Sequence, residues 1–222
     1  MIAVIFDMDG VLVDNARFHE QAFAEYFKKY GITLKPEMYG RGNEEIMSEL
    51  FPNETLDRQI KFAAEKEAYY RKIYAPHIQP VAGLIELLKA LKDNDVLTAV
   101  GSSAIVDNID FVFDKLQIRN YFDAVVAASM VARAKPAPDI YLKASELLDV
   151  KPENCLVFED ATAGIAAAKS AGAKVVGLAT SLSKEELANT DADKVISDFT
   201  EITVDEIKQI ITQSKNGRTF DI

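Results

Sequence analysis

The chain has 222 residues, 49% hydrophobic and 27% charged, a balance that suits one or two folded domains and excludes wholesale disorder, collagen-like repeats and a coiled-coil rod. Lys and Arg number 25 against 35 Asp and Glu. The net charge of −10 repels phosphate backbones and argues against a nucleic-acid partner, so an anionic substrate must be held by local positive charge or by a metal. Cys155 stands alone and excludes an internal disulfide framework or a cysteine-rich zinc site.

The first predicted element is the apolar run Ile2-Ala3-Val4-Ile5-Phe6, which ends in Asp7-Met8-Asp9-Gly10. A run apolar on both faces suits a central parallel strand covered by helices on each side. It lacks a basic leader and is too short for a signal peptide. No run approaches the ~18 apolar residues of a membrane span. These features predict a soluble, cytoplasmic protein without a membrane partner.

Residues 15–80 carry no strand signal and read as a helical domain inserted after the first strand. Phe18, Ala22, Phe23 and Tyr26 form one apolar face, Ile46, Leu50 and Phe51 another, and a long helix is predicted over Leu56–Tyr74. Ten basic and ten acidic residues cancel here, so the whole −10 falls on the rest of the chain. The connections near Asp14-Asn15 and Ala75–Pro80 read as hinges.

Beyond them, strands are predicted at Val96–Ser102, Phe122–Ala127, Cys155–Asp160, Lys174–Leu178 and Lys194–Ser197. Helical stripes lie between them: Leu84, Leu87, Leu88 and Leu91; Ile105, Ile109, Val112 and Leu116; Tyr141, Ala144, Leu147 and Leu148; Ile165, Ala168 and Lys169. Alternating strands and helices imply right-handed βαβ crossovers and a doubly wound parallel sheet. The expected fold is therefore α/β, with residues 1–14 and 81–222 as a Rossmann-like core and 15–80 as the inserted domain. Residues 214–222 read as a polar tail.

Ligands of an open α/β sheet bind outside the carboxyl ends of its strands. The first strand delivers Asp7 and Asp9 there, and the second Ser102 and Ser103. Lys135-Pro136 follows the third, and Glu159-Asp160 ends the fourth. Asp7 and Asp9 share one side if the pleat persists, and Gly10 lets the backbone turn close to a ligand. Each group has a plainer reading: Asp9-Gly10 as a turn, Ser102 or Ser103 as a helix cap, Lys135 as an exposed loop lysine, Glu159-Asp160 as a helix entry, and Cys155 as core filling.

Asp-Met-Asp-Gly-Val-Leu-Val-Asp at 7–14, followed in order by Ser102, Lys135 and Glu159-Asp160 at successive strand ends, resembles the four motifs of the haloacid dehalogenase superfamily. The helical insert is similar to that family's small α-helical cap, and the pattern looks like its β-phosphoglucomutase and sugar-phosphate phosphatase branch. The resemblance implies that Asp7 is a nucleophile forming an aspartyl-phosphate and that Asp9 is the general acid/base, protonated until it gives its proton to a leaving oxygen. It implies Mg²⁺ held by Asp7, Asp160 and the Asp9 carbonyl, with Glu159 orienting metal-bound water. Ser102, Lys135 and backbone N–H groups near Met8 and Ser103 would hold the phosphoryl group. His19 would support the hinge together with Lys66, against a plain surface histidine.

The loop Tyr39–Glu45 is expected to overhang the site. Arg41, between two glycines, would grip an anionic or sugar group. Asn43 reads as the N-cap of the next helix, with a place at the substrate as the other reading. The mutase pattern has an arginine where this chain has Asn43, and Ser-Lys-Asn where it has Ala104-Ile105-Val106. The expectation is accordingly a monomeric, Mg²⁺-dependent phosphatase acting on a small phosphorylated metabolite, with β-phosphoglucomutase as the alternative. A dehalogenase would lack Asp9. A phospho-receiver module, the non-enzymatic alternative, would be shorter and without the helical insert.

Overall fold

Four residues fully removed from solvent, Ala3–Phe6 (β1), set the centre of the fold. The structure, a computed structural model, describes residues 1–33 and 42–213. Beside β1 lie Leu97–Gly101 (β2), Ala124–Val126 (β3), Cys155–Glu159 (β4), Lys174–Leu178 (β5) and Lys194–Ile196 (β6). They form one parallel sheet in the order β3-β2-β1-β4-β5-β6. The order reverses between β1 and β4, the switch point at which such sheets open a crevice. Phe6 pairs with both Val100 and Phe158, so Asp7 stands level with Gly101 and Glu159, the last residues of β2 and β4.

The pleat divides β1 between two cores. Val4 and Phe6 pack with Leu84, Leu87, Leu88 and Leu91 of Leu84–Asp93, and with residues of Val106–Leu116 and Val204–Thr212. Ala3 and Ile5 pack with Tyr141 and Ala144 of Asp139–Leu147, Ile165 and Ala168 of Thr162–Ala171, and Leu187 of Lys184–Ala188. In chain order these helices are α4 (84–93), α5 (106–116), α6 (139–147), α7 (162–171), α8 (184–188) and α9 (204–212). Cys155 is buried at the head of β4, as core filling. Leu147 departs from its expected stripe, being 47% exposed, whereas Leu148 is buried.

Between β1 and β2 stand α1 (Ala16–Lys28), α2 (Asn43–Leu50) and α3 (Leu56–Tyr74), the last with the span expected from the sequence. The Thr55 hydroxyl accepts the Arg58 N–H and fixes the start of α3. Phe23, Tyr26, Phe27, Ile46, Met47 and Phe62 form a cluster of their own. Phe18, Ala22, Tyr70 and Tyr74 instead join the sheet's core, so the apolar face expected on α1 serves two clusters. The two connecting segments run side by side: Val13 bridges to Pro80, and the Val81 N–H donates to the Leu12 carbonyl at 3.0 Å. Among the described residues no helix is long and apolar enough to cross a membrane.

Candidate active site

The strand hydrogen bonding of β1 outlasts its pleat by one residue. The Asp7 N–H donates to the Phe158 carbonyl at 3.0 Å, and the Met8 carbonyl then accepts the Leu12 N–H at 2.8 Å as the chain turns. The strand ends at Phe6, so the condition under which Asp7 and Asp9 would share one side is not met, and the two aspartates meet different partners. Gly10 has φ of +77°, and a Cβ there would stand 1.9 Å from Asp160 Oδ2. Only glycine makes this turn against this carboxylate.

Asp7 Oδ1 accepts a hydrogen bond from Lys135 Nζ at 2.7 Å. The same ammonium donates to Glu159 Oε1 at 2.7 Å and lies 4.9 Å from the Tyr141 ring centre. Lys135 precedes a cis peptide to Pro136, and its side chain is only 10% exposed, which sets aside the exposed-loop reading. Glu159 Oε1 also accepts the Tyr141 hydroxyl at 2.6 Å, while Oε2 takes the N–H groups of Asp160 at 3.0 Å and Ala161 at 3.2 Å. The role expected for Glu159, orienting metal-bound water, thus meets a carboxylate whose oxygens are both engaged.

Asp7, Glu159 and Asp160 each offer a ligand oxygen within 4.8 Å of the others. Asp160 Oδ2 takes the Ser181 hydroxyl, and the Thr180 hydroxyl donates to the Gly10 carbonyl, so the segment after β5 straps the turn to the acidic cluster. Among the described residues, no hydrogen bond takes up the second oxygens of Asp7 and Asp160 or the Asp9 carbonyl. One ammonium does not neutralise three buried carboxylates. Burial, offset in part by Lys135, and repulsion from Glu159 and Asp160 hold the Asp7 carboxyl well above the usual carboxylate range. Burial and the nearby Glu159 push Asp160 up to about 7. Burial alone would lower the Lys135 ammonium, but Asp7 and Glu159 reverse it and raise its pKa.

Asp9 turns toward α1. Its Oδ1 accepts Asn15 Nδ2 at 2.6 Å and faces His19 Nε2 at 3.7 Å. Burial pushes this carboxyl up, yet the His19 and Asn15 contacts outweigh it and hold it below its ordinary range. This environment favours the ionised form of Asp9, whereas the general-acid role that the resemblance implies needs it protonated when the leaving oxygen departs. His19 stacks on Tyr70 with ring centres 3.8 Å apart, which rules out a plain surface histidine. Asn15 Nδ2 also donates to the Tyr70 hydroxyl at 2.6 Å.

Ser102 is buried at the end of β2, its N–H donating to the Val126 carbonyl at 3.0 Å and its Oγ accepting the Ala104 N–H at 3.1 Å. Ser103 is exposed beside it. Neither caps α5, whose N-cap is Ile105 without a side-chain bond. Among the described residues, the N–H groups of Met8, Asp9 and Ser103 donate to no internal acceptor.

Asn43 is not an N-cap, because Gly42 holds that position and Asn43 is the first residue of α2. Its Nδ2 donates to Glu67 Oε1 at 2.7 Å. Lys66 pairs with the same Glu67 oxygen and lies 3.9 Å from the Phe23 ring centre. Asn108 of α5 donates to Glu67 Oε2 at 2.8 Å. Arg41 and the tail from Ser214 lie outside the described residues. Asn15, Glu67, Tyr70, Asn108, Tyr141 and Ser181 also belong to this network, and none of them stood out in the sequence as a site residue. Of these, Ser181 follows the carboxyl end of β5, so the strand-end rule that found the acids reaches it too.

A carboxylate just past the central strand, a buried lysine bound to it, and an acidic pair at the end of the adjacent strand meet where sheets of this kind bind their ligands. The chain belongs to the haloacid dehalogenase-like hydrolase family, which it matches over residues 4–178. It is 33% identical over 205 residues to validoxylamine A 7'-phosphate phosphatase of Streptomyces hygroscopicus subsp. limoneus, covering 89% of this chain and 94% of that protein. It is 33% identical over 190 residues to β-phosphoglucomutase of Bacillus subtilis, covering 80% and 83%. A solved HAD hydrolase, family IA, variant 3, from Entamoeba histolytica has a TM-score of 0.88 at 31% identity, covering 96% of this chain and all of that one.

Proposed function

We propose that this enzyme is a Mg²⁺-dependent phosphatase that hydrolyses a small, sugar-phosphate-like metabolite through an aspartyl-phosphate on Asp7. The observation that carries the reading is the meeting of Asp7, Lys135, Glu159 and Asp160 at the switch point of the sheet. Phosphatases among its relatives support it. The donor set suits a hard divalent cation, since three carboxylates crowd one place and two of them keep an oxygen open. Asp7, Asp160 and the Asp9 carbonyl would hold Mg²⁺, whose charge would keep Asp7 ionised and offset that of the phosphoryl group.

In this reading Lys135, the Ser102 hydroxyl and the amides of Met8, Asp9 and Ser103 hold the phosphoryl oxygens, and catalysis is mostly positioning and charge stabilisation. An Asp7 oxygen attacks phosphorus, and the bond to the leaving oxygen breaks. A bound phosphate dianion raises the proton affinity of Asp9, which gives its proton to that oxygen. Asp9, ionised again, takes a proton from water as the water oxygen attacks the aspartyl-phosphate, releasing phosphate and restoring Asp7. Residues 15–80 act as a cap that opens on the paired connections and closes to exclude water. A crosslink between cap and core should suppress turnover, and unchanged turnover would contradict the gating.

The mutase alternative needs groups for a second phosphate. Ala104-Ile105-Val106 supplies no polar side chain at the mouth of β2, where Val106 is 49% exposed, and this favours water as the acceptor. With Mg²⁺ and a panel of phosphorylated metabolites, the protein should release free phosphate rather than an isomeric ester. Asp7→Asn should lower turnover by about a thousandfold or more. An Asp7→Asn protein as active as the parent would overturn the proposal.

A further inference from the structure

We infer that Tyr141 is a positioning residue of the active site, one that fixes Glu159 and through it the Lys135 ammonium that grips the phosphoryl group. The inference rests on the reading of Lys135 as a phosphate-holding group. A lysine ammonium on a flexible stem stands where its acceptors place it. Lys135 has two of them, Asp7 and Glu159, each at 2.7 Å. Its reach toward a ligand on Asp7 therefore depends on where the Glu159 carboxylate is held.

That carboxylate is held from several sides. Its Oε2 takes two backbone N–H groups, and its Oε1 takes the Tyr141 hydroxyl at 2.6 Å. Tyr141 is itself 1% exposed and packed in the core of α6, α7 and β1. Its ring also faces the ammonium, at 4.9 Å. One side chain thus touches both members of the pair: the hydroxyl fixes the acceptor, and the ring lines the path of the donor. Burial keeps the hydroxyl protonated, so it remains a donor. Without it, Glu159 Oε1 retains Lys135 alone, and the ammonium is drawn away from Asp7.

A purely structural tyrosine would satisfy Glu159 and affect stability only. Tyr141→Phe separates the two, because it keeps the ring and its packing while removing the donor. The inference predicts about a tenfold lower kcat and about tenfold weaker inhibition by inorganic phosphate. It also predicts a broadened Lys135 ammonium ¹H–¹⁵N resonance. In a Lys135→Ala background the same change should move phosphate inhibition by less than twofold. A folded Tyr141→Phe protein with kcat and phosphate inhibition within twofold of the parent overturns the inference, whatever its Tm. If that variant does not fold, the wild-type protein decides. Saturating phosphate must shift the Tyr141 hydroxyl proton resonance, and an unmoved resonance overturns the inference. A wild-type protein that neither hydrolyses phosphomonoesters nor is inhibited by phosphate would overturn the functional reading, and this inference with it.

Discussion

A methyl group at position 164 would stand 1.7 Å from Glu159 Oε1, so this glycine of α7 is the wall against which the carboxylate rests. Gly164→Ala should push Glu159 aside and release Lys135, lowering turnover at least tenfold, at a stability cost of about 1–3 kcal/mol from overpacking. Turnover and Tm measured together check this, and a variant with parental turnover would show that Glu159 has room to spare. The acids of the site were legible because each interrupts or ends an apolar run where a buried strand has no use for charge. Tyr141 was not, since it sits in a helical stripe with Ala144 and is indistinguishable from core until its hydroxyl is seen on Glu159. Asn15 likewise takes its meaning from Tyr70, which lies 55 residues away in the chain. The partners of Asp9 were hidden for a related reason: His19 and Asn15 face it from α1 and its entry, and spacing alone does not show how near they come.

Helices α3 and α5 are joined by a buried polar bridge. Asn108 donates to Glu67 and accepts from Arg71 Nη1 at 2.7 Å, while Arg71 Nη2 faces Asp107 at 3.5 Å. Burial would raise the Glu67 carboxyl, but Lys66, His19 and Asn108 hold it below its usual range, so it is a charge that needs its partners. Asn108→Ala removes a donor from Glu67 and an acceptor from Arg71, at a cost of about 1–3 kcal/mol. Amide exchange along α3 should quicken more than exchange in β4, and equal protection in variant and parent would contradict the bridge. The span of α3 was readable from the sequence and the apolar faces of several other helices from their stripes; α9 was not predicted, although Thr203 and Glu206 form a capping box at its start, with Val204, Ile207 and Ile211 as its buried stripe. The bridge was not readable, because Lys66-Glu67 within a helix rich in charge looks like a solvated face, and nothing local shows α5 lying against it.

Taken as a whole, an acidic molecule folds around an acidic site, and this ties stability to pH and, in the proposed reading, to a cation. Asp160, at about 7 in the folded chain without metal, lies above its unfolded range, so between pH ~4 and ~7 the folded state binds more protons. Stability of the metal-free protein should therefore fall as pH rises through that window and level off above it. In the proposed reading Mg²⁺ would compete with the same proton and, at a hundred times its Kd, stabilise the fold by about 2.7 kcal/mol. The rise in Tm on adding Mg²⁺ should be larger at pH 8 than at pH 5.5, and an equal rise at both would contradict a shared site. The most direct test of the whole account is to quench the protein in acid during turnover of a phosphorylated metabolite, reduce the acyl phosphate with borohydride, and map the modified residue by peptide mass spectrometry. Homoserine at position 7 is the predicted result; phosphate release with Asp7 unmodified, or modification at another residue, would contradict the account.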